Sequence, residues 1–230
     1  MKQLVTQGII LSRTDYGEAD RILTLLTPDQ GKLRLLARGV RRVKSKLAGG
    51  IELFSISNIT FVRGRGDIGT LISTRLVKYY SRIVQDLERT MAGYELIKQI
   101  NKVTEDEPGP EYFELLKNTF EALDDPEIPL PLVRLWFSAR LLRLSGHSPN
   151  LQTDAAGQKL DPKNIYDFDL EQMCFVPSDS GKFTASHIKF LRLGFSAHPA
   201  KTLAQVQGGA KLADDLAPVI FSVLQTHLRV

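Results

Sequence analysis

Hydrophobic and polar positions change period once along this chain, near residue 85, and that change organises the rest of the reading. Before it, apolar residues alternate with polar ones or run in short β-branched and aromatic blocks: "QLVTQGIILS", "RILTLLT", "KLRLLARGV", "IELFSISNITFV" and "TLISTRLVKYY". A period of two over a few residues is that of a half-buried strand, so five strands are predicted in the first 80 residues. Between them lie "RTDYGEAD", "PDQGK", the stretch after Ala37 and "RGRGDIG", which carry the Gly, Pro and Asp that break strands.

After residue 85 the apolar spacing becomes that of helices. "DLERTMAGYELIKQINKV" is a first helix, ended by "TEDEPGP", and "EYFELLKNTFEAL" a second, ended by "DDPEIP". A third, "LPLVRLWFSARLLRLSG", is apolar around much of its circumference, as a central core helix is, and stops at Gly146, a left-handed cap residue. "DPKNIYDFDLEQMCFVPSDSG" reads as a short hairpin or irregular excursion. Two more helices follow, in "TASHIKFLRLGF" and "LADDLAPVIFSVLQTHL", where Pro218 predicts a kink or a start. Five short strands that need no helix between them fit a small closed barrel of the oligonucleotide-binding (OB) kind, and on pattern alone an SH3-like barrel fits nearly as well. The expected fold is α+β and multidomain: a five-stranded OB barrel over residues 1–80, then an all-helical domain over 81–230 with a small irregular hairpin insertion at about 147–183.

Charge alters this picture more than composition does. At 230 residues, 43% hydrophobic and 24% charged, the chain is ordinary for a globular protein, and its net charge is only +4. Divided at residue 85, however, it holds 15 Lys and Arg against 6 Asp and Glu before that point and 15 against 20 after it, so the front carries +9 and the remainder −5. Such asymmetry points to a polyanionic partner for the front end. The densest cluster is "ARGVRRVKSKLAGG", residues 37–50, where Arg38, Arg41, Arg42, Lys44 and Lys46 stand without an acid among them. Lys32 and Arg34 precede it, Arg63 and Arg65 sit in the turn before the fifth strand, and Tyr16, Phe54 and Phe61 are candidates either for stacking platforms or for barrel core. In an OB barrel the loops after strands one and four border the binding face, which makes these residues a candidate nucleic-acid site.

Other motifs add little chemistry. "GRGDIG" at 64–69 matches G-x-G-x-x-G, but a strand is predicted after it where dinucleotide binding needs a helix, so a glycine-rich hairpin turn is expected. His147, His187, His198 and His227 lie far apart with no ligand partner at helical spacing. The single cysteine, Cys174, between Met173 and Phe175, reads as a small core residue. No catalytic constellation emerges, and the residues alone leave an enzyme open but unsupported. No apolar run reaches the length of a membrane span, and the amino terminus turns polar too soon for a signal peptide, so the cytoplasm is the expected setting.

"GIILSRTDYGEADRILTLLTPDQGKLRLLARGVRRVKSKLAGGIELFS", Gly8 to Ser55, resembles the amino-terminal part of the bacterial RecO family: a Tyr-Gly-Glu-x-Asp turn, a strand into Thr-Pro, then x-x-Gly-x-Arg-Arg-x-x-Ser. A looser echo is "LLRLSGHSPNLQ" at 141–152. The resemblance implies an OB domain joined to a helical domain. It also implies a non-enzymatic role: binding of single- and double-stranded DNA, annealing of complementary strands, and work with RecR to load RecA on DNA covered by single-strand-binding protein (SSB). An RNA-binding OB module is the alternative that barrel and charge alone leave open. Family resemblance further implies that the SSB tail docks on the helical domain, for which Arg134, Arg140 and Arg143 are candidates. Many members bind zinc through four cysteines in the insertion. Here Thr153 and Ala156 stand where thiolates would, so the insertion is a degenerate zinc finger and no metal or other cofactor is expected.

Overall fold

A computed structural model of the chain describes residues 2–64, 66–104 and 108–228. Five strands, β1 (Gln3–Tyr16), β2 (Asp20–Leu26), β3 (Lys32–Ala37), β4 (Ser55–Val62) and β5 (Ile68–Tyr79), close into a barrel in the order β1-β2-β3-β5-β4. All pairings are antiparallel except β3 with β5, which is the arrangement of an OB barrel. β1 is long because it serves two partners: residues 3–9 pair with β4 and residues 9–16 with β2, with an irregularity between Ile10 and Ser12 that turns it from one to the other. Alternation then fills the interior with Ile10, Leu23, Leu25, Leu35, Ile59, Phe61 and Leu71.

Packing divides the chain between Asp124 and Asp125. The change of period near residue 85 is therefore not where the first compact unit ends: α1 (Leu87–Val103) and α2 (Pro110–Asp124) belong with the barrel. Aromatic packing is the reason. Phe54, at φ 56°, turns its ring between Tyr94 of α1 and Phe120 of α2, with centroids 5.3 and 5.6 Å away, and Tyr80 meets Phe120 at 5.5 Å. Tyr80 is fully buried and its hydroxyl has no hydrogen-bond partner among the described residues, so burial, helped by Glu121, pushes its pKa well above the usual phenol range. The Lys78 ammonium sits 4.7 Å over the Tyr80 ring and 3.1 Å from Glu121 of α2.

In the second unit, α3 (Leu130–Leu144) is buried on nearly every side and packs against α4 (Ala185–Phe195), the short α5 (Ala200–Ala204) and α6 (Gly209–Leu228). It ends as its sequence predicts, at Gly146 with φ +79°. Pro218 lies inside α6 rather than at its start. The excursion before α4 contains a hairpin, β6 (Tyr166–Asp169) and β7 (Cys174–Pro177), built around Phe175, whose ring meets Tyr166, Phe168 and Phe183 edge to face. Among the described residues no helix is long and apolar enough to cross a membrane.

Candidate nucleic-acid interface

The basic segment follows β3 and is held at both margins. Gly39 takes φ +63°, a conformation that glycine reaches without strain, and its N–H donates to Asp20 Oδ1 at 2.7 Å. The Arg41 N–H donates to the Ala19 carbonyl at 3.0 Å, joining the segment to the β1–β2 turn. Val40 and Ile51 are buried in the barrel core and Leu47 packs against it, while Thr74 Oγ1 on β5 donates to the Leu47 carbonyl at 3.3 Å. Residues 41–46 are turned outward between these anchors. Even Val43, which shares three- and four-residue spacing with Val40 and Leu47, is fully exposed.

Four of the five cations there, Arg38, Arg42, Lys44 and Lys46, are exposed and make no side-chain hydrogen bond or ion pair among the described residues. Like charges crowded without counter-ions raise the local potential and attract phosphate. Arg41 differs: its Nε lies 3.6 Å from Asp15 Oδ2 and its Nη1 donates to the Gly17 carbonyl at 3.5 Å. Asp15 also accepts from Arg21 Nε at 2.7 Å, and that bond, followed by the Arg41 charge, holds its carboxyl below the ordinary carboxylate pKa. Asp15→Asn is therefore expected to release Arg41 for phosphate and to steepen the dependence of log affinity for single strands on log salt by about 0.7, read from binding titrations at several salt concentrations. An unchanged slope would show that Arg41 stays engaged elsewhere.

Strand order separates the rest of the expected set. β1 ends and β2 begins at the barrel end where the basic segment leaves β3, so Tyr16, 56% exposed, lies at that end. The β2–β3 and β4–β5 turns lie at the opposite end, and with them Lys32, Arg34 and Arg63. Arg65 falls outside the described residues. Arg34 is exposed and without a partner among the described residues, whereas Arg63 Nη2 donates to Gln30 Oε1 at 2.9 Å. Phe54 and Phe61 are each 1% exposed, so neither ring is available to a base; they are core residues.

Lys32 is also engaged elsewhere. Its Nζ donates to the carbonyls of Asn101 and Thr104 at 2.7 and 3.1 Å, capping the carboxyl end of α1, where helix carbonyls lack internal partners and favour a cation. Lys32→Met is expected to cost about 1–2 kcal/mol in urea unfolding and to leave the salt dependence of DNA binding unchanged. A flattened salt slope with intact stability would reverse that assignment.

In the helical unit, Arg140 Nη1 donates to the Ser196 carbonyl at 2.6 Å and Arg143 Nη1 to that of Phe195 at 2.7 Å, so both guanidinium groups close the carboxyl end of α4. Burial, then the neighbouring Arg143 charge, lowers the Arg140 pKa. Arg134 is exposed on α3. A cavity of about 280 Å³ is lined by Ser148, Pro149, Leu151, Phe195, Ser196 and a cation that the sequence did not single out, Arg192, which donates twice to the Leu151 carbonyl. Nothing in local sequence distinguishes Arg192 from the other helix arginines.

The insertion does not suit a zinc ion. Thr153 Oγ1 accepts from Asn150 Nδ2 at 2.7 Å, Asp154 Oδ1 accepts the N–H groups of Ala156 and Gln158, and the N–H of Asp154 donates to the Gln158 carbonyl. A carboxylate and backbone thus make the turn where thiolates would. Cys174 is buried, and burial followed by the charge of Asp169 pushes its thiol pKa up, away from the thiolate that a metal takes. One thiol, a hydroxyl and a methyl group do not form a zinc donor set.

Known sequences resemble this chain over nearly all of its length. Residues 1–80 match the family model described as "Recombination protein O N terminal" and residues 84–229 the one described as "Recombination protein O C terminal". Among curated relatives, the DNA repair protein RecO of Dehalococcoides mccartyi (strain 195) is 37% identical over 148 residues, 64% of this chain and 58% of that protein. The DNA repair protein RecO of Halalkalibacterium halodurans is 33% identical over 63% of this chain and 57% of its own length. That of Acetivibrio thermocellus is 27% identical over 230 residues, 99% of this chain and 82% of the relative. In the first of these the matched stretch spans little more than half of the relative's length. A five-stranded OB barrel bearing a basic segment, together with two family matches that cover nearly every residue, places the chain in the recombination protein O (RecO) family.

Proposed function

We propose that this protein is a non-enzymatic DNA-binding mediator of recombinational repair, which binds single and double strands, anneals complementary strands and, with RecR, helps load RecA on SSB-covered DNA. One observation carries the reading: Arg38, Arg42, Lys44 and Lys46 project from a segment pinned at both margins, with no counter-ion among the described residues. Two strands repel through their phosphates, and cations that neutralise phosphates on each lower the barrier to their meeting while releasing counter-ions. Contacts from this segment to the phosphate backbone carry no sequence information of their own, so it can act on strands of any sequence. The names of the relatives, each a DNA repair protein, favour DNA over RNA as the partner.

In the helical unit the cavity that joins apolar Leu151 and Phe195 to the Arg192 cation has the chemistry to accept an acidic and apolar peptide tail such as that of SSB. The test of the whole reading is annealing of complementary strands coated with SSB. Wild type is expected to accelerate annealing, and Arg42→Ala combined with Lys44→Ala to slow it about tenfold at physiological salt. Equal rates, or preferential binding of matched RNA over single-stranded DNA, would sink the proposal.

A further inference from the structure

We infer that the cleft where β3 parts from β5, at the barrel end opposite the basic segment, is a pocket for one nucleotide of a single strand and reads its base. This rests on the nucleic-acid reading above and adds a site that recognises more than charge. Strand order creates the cleft. β3 and β5 pair only from Arg34 to Leu36 with Ile68 to Thr70, so beyond Ile68 the β2–β3 and β4–β5 turns diverge and leave a space of about 430 Å³. That volume is within the range of small-molecule sites.

The lining is mixed in a way that the basic segment is not. Arg34, exposed and unpaired among the described residues, supplies a phosphate contact on the β3 side. Gly64 and Gly66 leave bare backbone on the other side, and no atom lies within 4 Å of where a Cβ of Gly66 would stand. The bond from Arg63 to Gln30 Oε1 joins the two turns, and Gln30 Nε2 donates to Asp29 Oδ2 at 3.4 Å, which leaves the amide one further donor and one further acceptor position. Asp67, exposed and likewise without a partner among the described residues, also lines the cleft.

A carboxylate there disfavours a bare anion, because it repels phosphate. It is a good acceptor for the exocyclic amino group of cytosine, whereas thymine has no such donor. Cation, amide and carboxylate together match a nucleotide with its phosphate on Arg34 and its base edge toward Asp67 and Gln30. Single strands expose these edges and duplexes hide them, so the cleft favours unpaired DNA.

The test compares short labelled oligodeoxycytidylate and oligodeoxythymidylate on the intact chain, with dCMP and dTMP as competitors. Wild type is expected to prefer the cytidine oligomer, and dCMP over dTMP, by about fivefold. Asp67→Asn should reduce that preference while keeping overall affinity, and Arg34→Gln should weaken both oligomers alike, by about tenfold. Both residues are exposed, so the fold withstands either change. If wild type binds both oligomers equally, or Asp67→Asn leaves the preference intact, the cleft assignment falls while the DNA reading stands. If wild type binds neither oligomer, both fall.

Discussion

Replacing Arg38, Arg42, Lys44 and Lys46 together by alanine is expected to flatten the salt dependence of single-strand binding by about 2.8 in the slope of log affinity against log salt. The figure is four phosphate contacts at about 0.7 each, and Arg41 is left out of it because Asp15 and the Gly17 carbonyl already engage its guanidinium. Between 50 and 200 mM salt, wild type should therefore lose about 50-fold more affinity than the variant. On duplex DNA the same four contacts weigh about 0.9 each, so the change should be larger there. All four side chains are exposed and unpaired among the described residues, so urea unfolding should register about 0.5 kcal/mol or less per site. Exchanging Lys for Arg and Arg for Lys at the same sites preserves charge and should preserve the slope. A variant that binds as wild type does at every salt concentration would place the phosphate contacts elsewhere on the molecule.

Phe54→Ala is expected to have the largest effect on stability, about 3–5 kcal/mol, measured by urea unfolding of the intact chain followed by circular dichroism. Phe54 is 1% exposed and its ring is wedged between α1 and α2. The fit has no slack: a Cβ at Gly93 of α1 would lie 2.4 Å from Phe54 Cε1, so the helix approaches the ring only because that position is glycine. Truncating the ring leaves a cavity that two helix faces and a strand start cannot all collapse into. Gly93→Val should destabilise as well, through overpacking rather than a void. Combining it with Phe54→Ala should cost less than the sum of the two, since the added side chain enters the vacated space. Strict additivity would show that the two positions do not share that space.

The five strands and the long helices are legible from the sequence because alternation and helical spacing are local. Their ends are less so. β4 begins at Ser55, not near Ile51, because Phe54 leaves the extended region to turn its ring toward the helices, and no propensity announces φ 56° at a phenylalanine. β3 stops at Ala37, where Gly39 and the bond to Asp20 start the turn. Five-residue α5 is too short to show a period and stands by burying Ala200 and Leu203.

For the candidate site, the positive segment is visible as composition, whereas which cations are free is not. Lys32 and Arg38 look equivalent in the sequence. Lys32 caps a helix that begins more than fifty residues later, and Arg38 has no partner among the described residues. The division of the basic residues between two barrel ends likewise follows from strand order, which no local window contains. Arg140 and Arg143 illustrate the same limit, since their carbonyl partners lie more than fifty positions away.

The anchoring of the basic segment by Val40, Leu47 and Ile51 bears on the entropy of association. A flexible polybasic tail must lose backbone freedom when it settles on phosphate, at about 1–2 kcal/mol per residue fixed. Here much of that loss accompanies folding of the barrel, so cations arrive at the strand already arrayed. Loosening an anchor, for instance with Leu47→Gly, would leave every charge in place and still weaken binding, and the deficit would appear in the entropy of association rather than in its salt dependence.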